Sequence, residues 1–133
     1  MRQGSVIHAD THPNMLGGIR RLHEAEVETV LMVTDVISLR HALEHVNPDV
    51  LVADLSLPVS TKTNTARELK KNYPQIKIII LSIHDDSTVF EEVIASGIEG
   101  FVLKRRAAID LIPAIREVLA GRKYISPGVN HLS

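Results

Sequence analysis

The sequence predicts an α/β fold in which one parallel sheet is covered by helices on both faces, and two observations carry that reading. Several segments are continuously apolar rather than alternating, Val50-Leu51-Val52-Ala53 and Ile78-Ile79-Ile80-Leu81 above all, as strands buried on both faces must be. These runs also alternate with stretches whose apolar residues recur at helical spacing, giving five strand–helix pairs in 133 residues. Repeated βα units imply parallel pairing, and right-handed crossovers then carry all the strand ends to one rim.

Taken in order, Val6-Ile7-His8-Ala9 is a short strand ending at Asp10-Thr11. Pro13 opens a helix with Met15, Leu16, Ile19 and Leu22 on one face. Gly17-Gly18 inside it cost about 1 kcal/mol each against Ala, which speaks for close packing against a neighbour. Thr29-Val30-Leu31-Met32-Val33 is the second strand. Asp35 is placed to cap the helix that carries Val36, Leu39, Ala42, Leu43 and Val46, and Asn47-Pro48 ends it. The third strand, from Val50, runs into Asp54-Leu55-Ser56-Leu57-Pro58. After a polar loop over residues 59–64, Thr65 and Glu68 have capping-box spacing, so the next helix starts there, with a thin face of Ala66, Leu69 and Tyr73.

Lys77-Ile78-Ile79-Ile80-Leu81 is the fourth strand, ending at Ser82. Thr88 and Glu91 form a second capping-box pair on a helix bearing Val89, Phe90, Val93 and Ile94, which Gly97 terminates. Gly100-Phe101-Val102-Leu103 is the fifth strand and ends at Lys104. The last helix has the clearest stripe in the chain: Ala108, Leu111, Ile112, Ile115, Val118 and Leu119. With Asp110 as its N-cap, Pro113 falls in the first turn, where a missing N–H has no intrahelical partner to lose; Gly121 ends the helix.

Composition narrows the function classes. A net charge of −1 gives no electrostatic grip on nucleic acid, and with two Phe, two Tyr and no Trp the chain lacks stacking platforms for single strands. Absence of Cys rules out disulfides and thiolate metal sites. No stretch approaches the apolar length that spans a bilayer, and His8 and Asp10 interrupt the only run near the N-terminus, so a cytoplasmic domain is expected. His41 and His45 stand i,i+4 on the second helix, a spacing that can ligate zinc, with no third ligand evident.

The rim residues are Asp10, Thr11, Asp54, Ser82 and Lys104. Two carboxylates, hydroxyls and an ammonium gathered at strand ends make a site for an anion together with a divalent cation. The same residues carry a family resemblance over essentially the whole chain. Asp10-Thr11-His12-Pro13, Asp54-Leu55-Ser56-Leu57-Pro58, Leu81-Ser82 and Gly100-Phe101-Val102-Leu103-Lys104, at these spacings, resemble the receiver domain of a two-component response regulator. Ser82-Ile83-His84-Asp85-Asp86 and Gly121-Arg122-Lys123-Tyr124-Ile125-Ser126-Pro127 are similar to its NarL/FixJ-type (LuxR-family) branch, whose receivers usually precede a helix-turn-helix.

The resemblance implies a (βα)5 doubly wound, flavodoxin-like or CheY-like fold: five parallel strands in the order 2-1-3-4-5. It implies a receiver domain over residues 1–122, with 123–133 the start of a linker to an effector outside this chain. Asp54 would accept a phosphoryl group from a histidine kinase, Ser82 would turn its hydroxyl towards it, Lys104 would hold its oxygens, and Phe101 would swing inward with Ser82. Mg2+ would be held by Asp10, Asp54 and the backbone carbonyl of Ser56. The implied partners are a sensor kinase and, as one form of read-out, a second copy of the chain; DNA would be reached only through the absent domain, and a membrane not at all.

Two departures bear on function. Thr11 stands where the family has a second acidic residue that contacts the metal, so Mg2+ binding is expected to be weak. Val59-Ser60-Thr61-Lys62 replaces a glycine-containing turn, so the loop beside Asp54 must take another path. Two classes therefore stay open: a switch driven by phosphorylation of Asp54, and a phosphorylation-independent pseudo-receiver used for dimerisation or partner docking. A flavodoxin-like cofactor enzyme of the same topology is the third, without a Gly-rich phosphate loop or aromatics to support it.

Overall fold

The computed structural model describes residues 4–11 and 29–129. The helix expected from Pro13, with Gly17-Gly18, lies outside the described residues, as does His12. The elements are β1 (Ser5–Ala9), β2 (Thr29–Val33), α1 (Val36–His45), β3 (Val50–Asp54), α2 (Thr65–Asn72), β4 (Lys77–Ser82), α3 (Ser87–Ala95), β5 (Gly100–Leu103), α4 (Ala107–Leu119) and β6 (Tyr124–Ile125), with a 3-10 turn over Lys104–Arg106.

All pairings are parallel, in the order β2-β1-β3-β4-β5-β6. The expected order 2-1-3-4-5 is contained in this sheet, but the expected count of five is corrected to six. Period-two alternation sends Ile7, Leu51, Ile78, Ile80, Phe101 and Leu103 to the face covered by α1, α2 and α3. Val6, Val50, Val52, Ile79, Leu81 and Val102 go to the other face, where Leu111, Ala114, Ile115 and Val118 of α4 pack. Burial on both faces is why these strands read as unbroken apolar runs.

The helix starts refine the expected caps. Asp35 caps α1 as anticipated, accepting from Ser38 N at 2.7 Å. For α2 the cap is Asn64, one residue before Thr65, and it accepts from Arg67 N at 2.8 Å. The Thr65 hydroxyl instead donates to the Leu57 carbonyl of the preceding loop. Asp86, not Thr88, caps α3.

Helix α4 begins at Ala107, so Asp110 lies inside it and is not its N-cap. The buried carboxylate is drawn inward by Arg106 Nε at 2.8 Å, Ser126 Oγ at 2.7 Å and Tyr124 Oη at 3.0 Å. Pro113 is consequently interior to the helix rather than in its first turn. It is exposed, and so is Ile109 one turn earlier, whose carbonyl goes without the proline's N–H on the solvent side.

Candidate functional site

Register sets the site. Ala9 pairs with Ala53, Asp54 with Leu81, and Ser82 with Leu103, so Asp10, Asp54, Ser82 and Lys104 leave their strands at neighbouring points of one rim. The rim includes the point where strand order reverses around β1, the crevice in which open α/β sheets place ligands.

Three expected residues are brought into direct contact. Lys104 Nζ lies 2.6 Å from Asp54 Oδ2 and 3.3 Å from Asp10 Oδ1. Asp10 and Asp54 are 0% and 2% exposed, so these carboxylates are largely withdrawn from water. Burial alone pushes the Asp54 carboxyl up, but hydrogen bonds from Lys104 and Ser56 outweigh it and hold the group below the usual carboxylate range. Ser56 N donates to Asp54 Oδ1 at 2.9 Å. The result is an ionised oxygen nucleophile fixed in place beside an ammonium.

Ser82 is buried at the same rim, with its hydroxyl turned into its own loop: Oγ accepts from His84 N at 2.9 Å and donates to His84 O at 3.1 Å. Asp54, Ser56, Ser82 and Lys104 share a cavity of about 520 Å3, walled on its apolar side by Leu57, Val89 and Val93. Phe101 is fully buried and meets Phe90 of α3 edge-on, with ring centroids 5.4 Å apart. Thr11 is exposed and lines an adjoining pocket of about 340 Å3 with Asp35 and Ile37, which shares Leu57 and Pro58 with the first.

The glycine-free loop after Pro58 is held by its own side chains. Leu57 and Val59 are buried in the core, and Arg40 of α1 donates to the Val59 carbonyl at 2.9 Å. Together with the Thr65–Leu57 bond, this fastens both flanks of the turn beside Asp54.

His8 joins the site although it is not among the residues expected from the sequence. It is fully buried, its Nε2 lies 3.9 Å from Asp10 Oδ2, and neither ring nitrogen has a hydrogen-bond partner among the described residues. Desolvation pushes its pKa down to about 4, against the opposing pull of Asp10. The signal available in the sequence was a histidine interrupting an apolar strand two residues before a rim carboxylate.

Residues 6–116 match the response regulator receiver domain family. The chain belongs to that family. Among curated relatives of this receiver, the transcriptional regulatory protein DegU of Brevibacillus brevis is 34% identical over 128 residues, covering 95% of this chain and 54% of that protein. The transcriptional regulatory protein RcsB of Escherichia coli K12 is 32% identical over 138 residues, covering 99% of this chain and 63% of that protein. The receiver thus spans between about half and just under two thirds of the curated relatives it matches. The isolated REC domain of RcsB from Salmonella enterica serovar Typhimurium, solved with the phosphomimetic BeF3−, superimposes with a TM-score of 0.83 at 32% identity over 95% of each chain.

Receiver domains generally bind Mg2+ at the phosphorylation site, and the donors here fit that ion in kind. Asp10 and Asp54 already direct carboxylate oxygens at one cationic centre, the Lys104 ammonium, and hard oxygen ligands are what Mg2+ takes. Among the described residues no helix is long and apolar enough to cross a membrane.

Proposed function

We propose that this receiver takes a phosphoryl group on Asp54 from a sensor histidine kinase and passes the change to an output domain outside this chain. The observation that carries the reading is Lys104 Nζ held 2.6 Å from a buried, ionised Asp54 at the mouth of a cavity shared with Ser82. An Asp54 oxygen attacks phosphorus, the bond from phosphorus to the donor's imidazole nitrogen breaks, and an acyl phosphate forms. Lys104 moves from the carboxylate to the arriving phosphoryl oxygens, which carry more charge. The Ser82 hydroxyl exchanges its bonds to His84 for a phosphoryl oxygen, and Phe101, buried against Phe90, registers that movement.

Asp10, Asp54 and the Ser56 carbonyl are the residues to hold Mg2+, with Thr11 a weak contributor; the ion supplies positive charge to the transferring group. In this reading the receiver body runs past the expected limit of residue 122 to take in β6, which pairs with β5, and the connection to an output domain begins beyond it. Read-out through a homodimer and control of DNA by a domain outside this chain follow the relative RcsB, a transcriptional regulatory protein whose dimers have been solved on DNA. A cytoplasmic location suits a kinase partner.

Incubation with acetyl phosphate and Mg2+, followed by intact mass, tests this reading. A phosphate-sized gain is expected that Asp54→Asn lacks, and Thr11→Asp is expected to lower the Mg2+ needed by roughly tenfold through the added carboxylate. No gain at any Mg2+ concentration would move the function to the phosphorylation-independent reading.

A further inference from the structure

We propose that the last turn of α1 carries a surface site for one imidazole-seeking divalent transition-metal ion, held by His41, Glu44 and His45. The three side chains are exposed, and their ligand atoms all lie within 4.8 Å of one another, inside the span that small rotamer adjustments close around an ion. Two of them stand i,i+4, on one face of the helix. The His41 and His45 rings are 4.3 Å apart between centroids and tilted by 35°, so the pair is already gathered.

A second observation concerns the nitrogen that would bind. His45 Nδ1 lies 2.9 Å from the His41 carbonyl oxygen, which can only accept, so Nδ1 is the protonated nitrogen. The Nε2 lone pair is then left outward for a ligand. A backbone carbonyl fixing the far nitrogen is the usual outer support of a metal-bound imidazole.

The electrostatics agree. The residues lie at the C-terminal end of a helix, where the peptide dipoles present partial negative charge, and Glu44 adds a full one. The nearby Arg40 guanidinium is engaged on the Val59 carbonyl. Two imidazoles with one carboxylate form the donor set of open zinc sites, whereas Mg2+ and Ca2+ prefer oxygen. Water or an outside ligand completes the coordination. The site is separate from the acidic rim and does not depend on Asp54.

Calorimetry with ZnCl2 on tag-free protein, with Mg2+ in excess to occupy the acidic rim, is the test. One Zn2+ per chain is expected, with a Tm rise of roughly 5–10 °C at a hundredfold excess over Kd. His41→Ala and His45→Ala should each weaken binding at least about tenfold, and Glu44→Gln severalfold. These positions are exposed, so the variants keep the fold. His41→Ala also keeps whatever phosphoryl uptake the parent chain has, so the two readings fail separately. No binding by the parent, an affinity unchanged in both histidine variants, or one Zn2+ per two chains would each overturn the proposal.

Discussion

Lys104 stands between two buried carboxylates, 2.6 Å from Asp54 Oδ2 and 3.3 Å from Asp10 Oδ1, with the His8 ring behind them. His8 adds no charge there at neutral pH, because burial keeps its ring uncharged down to about pH 4. This has a definite consequence for stability. Between an unfolded pKa of about 6.5 and the folded value of about 4, the unfolded chain binds a proton that the folded chain refuses. Stability therefore falls as pH falls through that window, by up to about 3 kcal/mol, and this group contributes no pH dependence above it. Asp54 acts lower: its folded pKa is depressed, so its contribution is full above the unfolded value of about 3.9 and is lost only as pH falls through the folded one. Urea midpoints at pH 7 and pH 5 should differ clearly for the parent chain and much less for His8→Leu. Equal slopes in the two would mean that the imidazole charges freely in the fold.

At the scale of the element, β5 is tightly placed, since it carries Phe101 and leads into Lys104 while pairing with β4. Gly100 opens it against Ile79, and a Cβ built there would stand 2.8 Å from Ile79 Cγ1, an atom in the middle of a fully buried side chain. Gly100→Ala is thus expected to cost about 1–3 kcal/mol through overpacking, measured as a lowered Tm with the far-UV spectrum retained. A Tm unchanged within a degree would show that β4 and β5 separate freely. The strands were legible because a parallel sheet leaves no polar alternation to confuse the pattern. The starts of α2 and α3 were legible only to within one or two residues: Asn64 and Asp86 outcompeted Thr65 and Thr88 because their carbonyl and carboxylate oxygens reach the free N–H groups of the first turn. Asp110 departs from its expected cap role because it points inward. An acidic residue before a proline in an amphipathic stretch has the pattern of a cap, and only the distant Tyr124 and Ser126 show that it points inward.

For the whole molecule, the acidic rim was legible because it needs only strand ends and parallel topology, whereas β6 was not, because two residues carry no periodicity. What makes β6 a strand is long-range. Tyr124 N donates to the Glu99 carbonyl at 3.1 Å, Ser126 N to the Phe101 carbonyl at 2.9 Å, and Leu103 N to Ser126 Oγ at 3.0 Å. Through Tyr124 and Ser126 the segment also supplies two of the donors that, against the cost of burial, keep Asp110 ionised. Hydrogen bonds to a charged partner are worth about 1.5–3 kcal/mol each, so a chain ending at residue 122 is expected to lose roughly 3–5 kcal/mol and about 10 °C in Tm. Ser126→Ala in the full chain should show about half of that loss, since it removes one charged bond and the acceptor for Leu103 N. If residues 1–122 melt with the parent chain, β6 is a passive decoration of the sheet edge. If they melt early, residues 123–129 are part of the receiver's folding unit. A movement of Phe101 or Lys104 would then reach residues 124–126 through the hydrogen bonds at the β5–β6 edge.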